Sequence, residues 1–242
     1  MTTVPELSVS IKLPVEICEA GLDSELVFFI GSGISKLAGY PSWGEFANKV
    51  LDELRKKKLI DFSEREQLAA LDPRKKLSIA RLIATNKEYD LDFSKHFIDE
   101  SKNKDCAIYE AINDIGCICV TTNYDELLAP RFRENKDSPA VSSNRIYERE
   151  KFHEELLTKP GTVVHLHGSV SKPADMIVTM EEYLTHYSHD NIRDLLHALF
   201  KKHTVLFLGY GLEEAEILEH VLRRGAAQQR TDDRKIFILQ GF

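Results

Sequence analysis

The sequence predicts an α/β fold, a doubly wound parallel sheet with a helical segment inserted after the first strand. Three observations lead to this fold class. Short apolar runs rich in β-branched and aromatic residues recur at wide intervals, and helical patterns lie between them. Each of the first four runs is followed directly by glycine or polar residues. Apolar strands that alternate with helices are typical of parallel sheets covered on both faces.

Five apolar runs predict the strands of this sheet. They lie at residues 25–30, 117–122, 162–167, 204–209 and 235–240. Helical patterns occur at residues 125–128, 148–157, 181–187, 191–201 and 213–224. Residues 176–180 predict a brief extended piece, and the polar residues 133–144 predict a surface loop.

The first connection between strands is long and helical. A helix is predicted to begin at Ser42, because Glu45 three residues later completes a capping box. Residues 62–101 are rich in charge and in helix formers, and they predict two or three short helices and no strand. We therefore expect a helical insertion over about residues 60–110 that packs beside the sheet.

Composition limits the class of protein. The chain has 242 residues, of which 43% are apolar and 29% charged, and we expect one domain that covers all of it. A net charge of −7 argues against a general affinity for nucleic-acid backbone. No stretch is apolar and long enough to span a membrane, and the first residues lack a signal-peptide pattern, so a cytoplasmic protein is expected.

The four cysteines, Cys18, Cys106, Cys117 and Cys119, do not predict a metal site. They contain no C-x-x-C pair, so a structural zinc site of the usual spacing is not expected. Cys117 and Cys119 alternate within a predicted buried strand, where free cysteine behaves as a small apolar residue. Free thiols in the core fit a reducing compartment.

Four short sequence blocks stand where a ligand would bind. In open parallel sheets, ligands bind beyond the carboxyl ends of the strands. The blocks at these positions are GSGIS at 31–35, TTNYD at 121–125, HLHGS at 165–169 and GYG at 209–211. The first block suits a phosphate, because glycines and backbone N–H groups near a helix start favour an anion. It has Lys36 where the dinucleotide motif has its third glycine, so a plain strand-to-helix turn is the alternative.

The second and third blocks also leave alternatives open. Asn123 or Asp125 can cap a following helix instead of binding a ligand. In a strand, His165 and His167 point to one face, so a metal pair, a catalytic base with a neighbour, and a buried structural histidine are all candidates. A metal pair needs a third ligand that the sequence does not place. We interpret His165 as structural, and His167, beside Gly168, as a residue that leaves the strand and enters the cleft.

Taken in order, the four blocks resemble the NAD-binding core of the sirtuin family. The resemblance covers roughly residues 25–240 and implies a Rossmann-like fold that binds NAD. It implies that Asn123 holds the nicotinamide ribose, that Asp125 contacts the nicotinamide, and that His167 is the general base. It also implies a cofactor-binding set around the pyrophosphate and the adenosine end, which comprises Gly31, Ser32, Gly33, Ser35, Thr122, Gly168, Gly209, Tyr210, Gly211 and Glu213.

Departures from the sirtuin pattern point to one branch of the family. The four zinc cysteines of the deacylases are missing, and Gly39-Tyr40-Pro41-Ser42-Trp43 stands where they have an Asp-Phe-Arg segment. The sequence resembles the zinc-less sirtuin-like domains of bacterial antiphage defence. That resemblance implies an NAD glycohydrolase that produces nicotinamide and ADP-ribose and depletes NAD in abortive infection, with NAD as substrate and no zinc.

Two other functions use the same pocket. One is a protein deacylase or ADP-ribosyltransferase, and the other is an NAD- or ADP-ribose-binding regulatory module. The missing cysteines argue against the deacylase, and the presence of both Asn123 and His167 argues against a module that only binds. The resemblance also implies a homo-oligomer and a sensor, ATPase or helicase-type, or argonaute-like partner, so the 242 residues can be a fragment of a longer protein.

Overall fold

Six parallel strands form one sheet in the computed structural model, which describes residues 12–97, 107–132, 143–211, 214–227 and 235–239. The strands are β1 Leu26–Ile30, β2 Ile118–Thr121, β3 Asn144–Ile146, β4 Thr162–His165, β5 Thr204–Leu208 and β6 Ile236–Leu239. Their order across the sheet is β3-β4-β2-β1-β5-β6. Together with helices on both faces, this order confirms the predicted doubly wound α/β fold.

The described helices lie before β1, between β1 and β2, and between β4 and β6. They are α1 Val15–Leu22, α2 Ser32–Leu37, α3 Trp43–Lys56, α4 Phe62–Ala69, α5 Pro73–Asn86, α6 Ser94–Phe97, α7 Ala107–Ile115, α8 Met180–Tyr187, α9 Asp190–Lys202 and α10 Ala215–Ala227. Three short 3₁₀ turns lie at Arg149–Lys151, Glu154–Thr158 and Pro173–Asp175. Within the described residues, no helix combines the length and the apolar character that crossing a membrane requires.

The central strand β1 is buried on both faces, as its composition predicts. Val27 and Phe29 belong to one apolar cluster, which includes residues of α9. Phe28 and Ile30 belong to a second cluster on the other face, which includes residues of α3 and α5. Successive side chains of a strand point to opposite faces, so an unbroken apolar run is what a strand between two helical layers needs.

The strand order reverses beside β1. Its residues pair with β2 on one side and with β5 on the other, both in parallel register. Such a reversal opens a crevice at the carboxyl ends of the two diverging strands, because their outgoing connections leave toward opposite faces of the sheet. The first and fourth sequence blocks, which follow β1 and β5, therefore face each other across this crevice.

The predicted helical insertion lies between β1 and β2. The capping box of Ser42 and Glu45 starts α3, as predicted, and Asp72 with Pro73 starts α5. The buried residues of α3 include Phe46, Val50, Leu51 and Leu54, which join the cluster on its face of the sheet. Residues 62–97 contain α4, α5 and α6, in agreement with two or three short helices; residues 98–101 lie outside the described part.

Two predicted helices are wrong. Residues 125–128 are irregular, because Asn113 of α7 holds this segment by accepting from Ala129 N at 2.7 Å and donating to Leu127 O at 3.0 Å. Residues 148–157 form two 3₁₀ turns separated by the extended residues Phe152 and His153, not one helix.

Other differences concern strand ends and loops. The predicted surface loop 133–144 ends in strand β3, which begins at Asn144; residues 133–142 lie outside the described part. The brief extended piece predicted at residues 176–180 has extended backbone at Met176 and Thr179 but forms no strand, and Met180 already begins α8. β4 ends at His165, so His167 does leave the strand, as the glycine after it predicted.

Candidate functional site

The glycines of the first and fourth blocks hold the two loops together. Gly33 N donates to Gly209 O at 2.8 Å, and Gly31 N donates to Leu208 O at 2.9 Å. A Cβ atom on Gly31 would come within 2.6 Å of Gly209 O, and one on Gly209 would come within 2.7 Å of Ile34 N. Gly209 also has a φ of +59°, which favours glycine. The N–H groups of Gly31 and Gly33 are therefore already hydrogen-bonded. Between them, Ser32 lines a cavity that lies beside this loop and is described below.

Asn123 is fixed between the first and second strand ends. Its side-chain Nδ2 donates to Gly31 O at 2.9 Å, and its backbone N donates to Thr121 Oγ1 at 3.0 Å. Both Asn123 and Thr122 are buried. The amide oxygen of a side chain held in this way can point a single acceptor toward a bound hydroxyl or water.

Asp125 lies deeper in the protein than Asn123. Its Oδ2 accepts from Ser35 Oγ at 2.6 Å and from Tyr109 OH at 2.8 Å, and its Oδ1 accepts from Leu127 N at 3.2 Å. Burial raises the pKa of the Asp125 carboxyl, and the hydrogen bonds from Ser35 and Tyr109 oppose this shift. Asp125 is thus not a helix cap; it joins the first loop to α7 beneath Asn123.

The two histidines of the third block have different surroundings. His165 is buried, stacks on Tyr147 with ring centroids 4.8 Å apart, and places Nδ1 3.4 Å from Asn123 O. Burial lowers its pKa to about 4. This environment agrees with a structural role. Gly168, which follows the second histidine, has a φ of +76°, and a Cβ there would come within 2.4 Å of Asp175 O.

His167 is enclosed by two tyrosines of α8. Its Nε2 lies 2.8 Å from Tyr187 OH, and its Nδ1 lies 3.1 Å from Tyr183 OH. Because Tyr187 OH also lies 3.4 Å from Glu214 Oε2 and can donate to it, we assign the ring proton to Nε2 and the lone pair that accepts from Tyr183 OH to Nδ1. Burial, with the neighbouring His186 and Arg74, lowers the pKa of His167 well below its usual range, so the ring is neutral at pH 7.

Two adjoining cavities open at this edge of the sheet. The larger one has a volume of about 290 Å³ and is lined by Ser32, Trp43, Asp72, Pro73, Arg74, Thr122, Tyr210, Gly211 and Glu214. The smaller one, about 20 Å³, is lined by Ser32, Ser35, Pro41, Trp43, Phe46, Phe97, Thr122, Asn123 and Tyr124. Ser32, Trp43 and Thr122 border both, so the two are lobes of one site. His167 lines neither lobe and lies behind Glu214 and Tyr187.

A comparison with known families decides what kind of domain carries this site. A family model described as a SIR2-like domain matches residues 118–241, slightly more than half of the sequence. The chain belongs to the SIR2-like domain family. The sirtuin-like family predicted from the four blocks is thereby confirmed.

A curated relative of this SIR2-like chain comes from a bacterium. Defense-associated sirtuin 2 of Bacillus subtilis is 26% identical to it over 210 residues, which is 84% of this chain and 19% of that protein. The chain thus spans about a fifth of the length of this relative. The match agrees with the antiphage-defence branch that the departures from the sirtuin pattern predicted.

The two lobes and their surroundings bring together most of the predicted residues. Ser32, Thr122, Tyr210 and Gly211 line the larger lobe, and Asn123 and Ser35 line the smaller one. Asp125 and Gly168 line neither lobe. Asp125 supports the site through its hydrogen bonds with Ser35 and Tyr109, and Gly168 through its close contact with Asp175 O. Glu213 lies outside the described residues. Within the parts of the chain that the structure describes, no group of three or more His, Cys, Asp or Glu side chains could hold a metal ion.

The sequence analysis did not predict four side chains that lie in or beside the two lobes. They are Arg74, Tyr183, Tyr187 and Glu214. All four lie outside the strand-end blocks, on α5, on α8 or just before α10, and only the packing of these helices brings them to the crevice. For Arg74 a signal was available, because Asp72 and Pro73 mark a helix start whose first turn carries the arginine.

Proposed function

We propose that this chain binds NAD at the crevice beside β1 and hydrolyses it to nicotinamide and ADP-ribose, within an antiphage defence protein. Membership of the SIR2-like family and the similarity to a defence-associated sirtuin support the substrate and the setting. The observation that carries the proposal is the pairing of a fixed Asn123 amide with a neutral His167 imidazole. The two lie at the carboxyl ends of adjacent strands, β2 and β4.

The reaction breaks one bond, forms another and releases one proton. The bond between the ribose C1′ and the pyridinium nitrogen breaks, and its electron pair leaves with neutral nicotinamide. A water oxygen bonds to C1′, and the proton that this water loses passes to a base and then to solvent. Because positive charge develops on the sugar, the protein has to orient the ribose and supply that base.

His167 has the protonation state that a base requires. The neutral ring carries a lone pair at Nδ1, which Tyr183 OH occupies in this structure. If a ribose hydroxyl or water replaces Tyr183 OH, Nδ1 receives its proton and the ring becomes an imidazolium. Tyr187 and the Glu214 carboxylate, with Oε2 3.9 Å from Nε2, then stabilise the positive charge on the other nitrogen.

Asn123 and Asp125 have different roles at the smaller lobe. Asn123 borders the smaller lobe and orients the nicotinamide ribose and the attacking water. Asp125, held by Ser35 and Tyr109, positions the Asn123 segment and the nicotinamide end. The smaller lobe has room for about one water molecule, so the nicotinamide ring enters only when side chains such as Trp43 or Phe97 shift.

Nicotinamide release from NAD tests this proposal directly. The measurement compares the purified wild-type chain with Asn123→Ala and His167→Ala, and with His197→Ala as a control on the exposed face of α9. Loss of the base is expected to reduce turnover about a hundredfold to ten-thousandfold, and loss of Asn123 to remove most turnover, while the control keeps the wild-type rate. Wild-type turnover in His167→Ala would show that another group is the base.

One observation favours a second function. His167 is enclosed and lines neither lobe, so in this state the site can bind a ligand without reaching its base. An NAD- or ADP-ribose-binding regulatory module is therefore the second candidate. NAD binding by calorimetry without any nicotinamide release, also in the presence of the longer protein or its partners, would select it.

We also propose that the working protein is larger than the described domain. The relative extends well beyond the matched region, since the match covers 19% of it. A homo-oligomer and a sensor, ATPase or helicase-type, or argonaute-like partner follow from the predicted branch. Size-exclusion chromatography with light scattering on the full-length protein, with and without NAD, tests the oligomer.

A further inference from the structure

We propose that Arg74 is the side chain that binds the pyrophosphate of the dinucleotide, and that Glu214 occupies its guanidinium when no ligand is bound. This inference rests on the proposed function, because it names the residue that would hold the anionic part of NAD or ADP-ribose. It adds a charged contact from the helical insertion to the site beside the loop after β1.

Arg74 is placed to meet a ligand that enters the larger lobe. It lies in the first turn of the fourteen-residue helix α5 and lines the lobe opposite Ser32, Thr122 and Tyr210. Its Cζ stacks 4.2 Å from the centroid of the Tyr183 ring, which holds the guanidinium plane in position. Arg74 is the only Lys or Arg among the described residues that line this lobe.

The two glycines after β1 do not offer their own N–H groups to a phosphate. The N–H groups of Gly31 and Gly33 donate to Leu208 O and Gly209 O, and of this loop it is Ser32 that lines the larger lobe. The loop therefore brings no positive charge to the lobe, and a pyrophosphate there depends on Arg74 for one. A guanidinium presents several N–H groups in one plane, which suits two phosphate oxygens at once.

Glu214 already occupies the Arg74 guanidinium as a bound anion would. Its Oε1 lies 3.5 Å from an Arg74 terminal nitrogen, so a buried carboxylate sits where a phosphate oxygen would bind. Tyr210 lines the same lobe, and burial together with the nearby Glu214 carboxylate raises the pKa of its hydroxyl. A polar ligand that enters the lobe would therefore meet a guanidinium, a carboxylate and a phenol hydroxyl together.

A ligand that binds Arg74 also changes the surroundings of His167. Glu214 contacts both Arg74, through Oε1, and Tyr187, through Oε2. When the pyrophosphate replaces Glu214 at the guanidinium, the Glu214 carboxylate keeps its contact with Tyr187. Beyond Tyr187 it then faces only the His167 imidazole. Occupation of the anion site would in this way strengthen the contact that stabilises the protonated base.

Binding of ADP-ribose to the purified chain tests the role of Arg74 without depending on catalysis. Titration calorimetry at low and at moderate salt compares the wild type with Arg74→Met, Arg74→Lys and Lys75→Met. Lys75 is the matched control, because it is the exposed neighbour on the same helix turn and does not line the lobe. Adenosine, which lacks the pyrophosphate, is titrated alongside, and a melting curve checks each variant for folding.

Arg74→Met is expected to bind ADP-ribose about ten to a hundred times more weakly, the usual effect of one charged hydrogen-bonding group. Its affinity should also depend less on salt, whereas adenosine binding and the Lys75→Met variant stay unchanged. Arg74→Lys, which keeps the charge and loses the planar donor set, should fall between. In steady-state assays the loss should appear in KM more than in kcat.

Several results would contradict the inference. Arg74→Met within twofold of wild type for ADP-ribose would exclude the contact; should that variant not fold, Arg74→Lys within twofold would do so. A wild-type chain that binds no ADP-ribose would exclude it as well. A kcat/KM for nicotinamide release that is equal in wild type and Arg74→Met would overturn the role of Arg74 and leave the proposed hydrolysis intact. Binding that depends on Arg74, without nicotinamide release, would support the anion site and reject the hydrolysis.

Discussion

At the residue scale, the site depends on backbone contacts that only glycine permits. The loops after β1 and β5 approach each other so closely that the chain has no room for a Cβ at Gly31 or Gly33. The glycine motif that predicts a phosphate-binding loop is, in this protein, also the place where two loops contact each other. The same residues therefore fix the two loops relative to each other at this edge of the sheet.

We predict that Gly31→Ala lowers the free energy of unfolding by about 1–3 kcal/mol, because its Cβ would lie 2.6 Å from Gly209 O and from the Tyr210 Cα. Gly44→Ala is the control: the site in α3 has no atom within 4 Å, and alanine is the better helix former by roughly 0.5–1 kcal/mol. Urea denaturation of the two variants should show opposite signs. Equal stabilities would contradict the packing argument.

At the scale of elements, the strands could be predicted and several connections could not. A strand buried on both faces needs only an unbroken apolar run, and LVFFI at 26–30 or TVLFL at 204–208 supplies one from local sequence. Residues 125–128 have helix formers too, but Asn113, more than ten residues earlier, takes their backbone groups. A local sequence pattern does not show that a distant side chain will bind the backbone groups that a helix would use.

The same reasoning separates the predicted site residues from the missed ones. Asn123, Asp125 and His167 follow strands directly, so the topology alone places them at the carboxyl edge. Arg74 and Glu214 reach the edge from helices, and their meeting at 3.5 Å depends on how α5 and α10 pack. Tyr183 and Tyr187 are one helical turn apart on α8, a spacing that predicts a shared face but not which face meets His167.

The start of α5 is an element-scale feature with a measurable contribution. Asp72 Oδ1 accepts from Lys75 N at 2.9 Å, and Pro73 occupies the first helical position. We predict that Asp72→Ala costs about 1 kcal/mol of stability, since an N-cap carboxylate is lost. Asp194→Ala, on the exposed face of α9, should cost nothing measurable. Thermal or urea unfolding distinguishes the two, and an equal effect would show that the cap does not stabilise α5.

At the scale of the whole molecule, buried histidines link stability to pH. Burial lowers the pKa of His165 and of His186 to about 4, and lowers that of His167 well below its usual range. Between about pH 6.5 and pH 4 the unfolded chain therefore binds protons that the folded chain does not. These histidines favour the folded state above about pH 6.5, and their contribution is lost as the pH falls toward 4.

We predict that the free energy of unfolding decreases by up to about 1.4 kcal/mol per pH unit for each of these histidines in that window. Urea titrations at pH 7.5, 6.0 and 5.0 measure the slope. His165→Gln should make it shallower, because one titrating group is removed, whereas His197→Gln, at an exposed position, should not change it. A slope that is flat in the wild type would rule out neutral histidines in the folded core.

The position of β1 at the centre of the sheet has a consequence for biosynthesis. Its neighbours are strands that begin at Ile118 and Thr204, so the most apolar strand leaves the ribosome long before either partner exists. At a synthesis rate of about 5–20 residues per second, the wait for β5 is roughly ten to forty seconds. During that time the nascent LVFFI segment is an unpaired, aggregation-prone stretch. We expect chaperone capture of the nascent chain to decide how much of this protein the cell obtains in folded form.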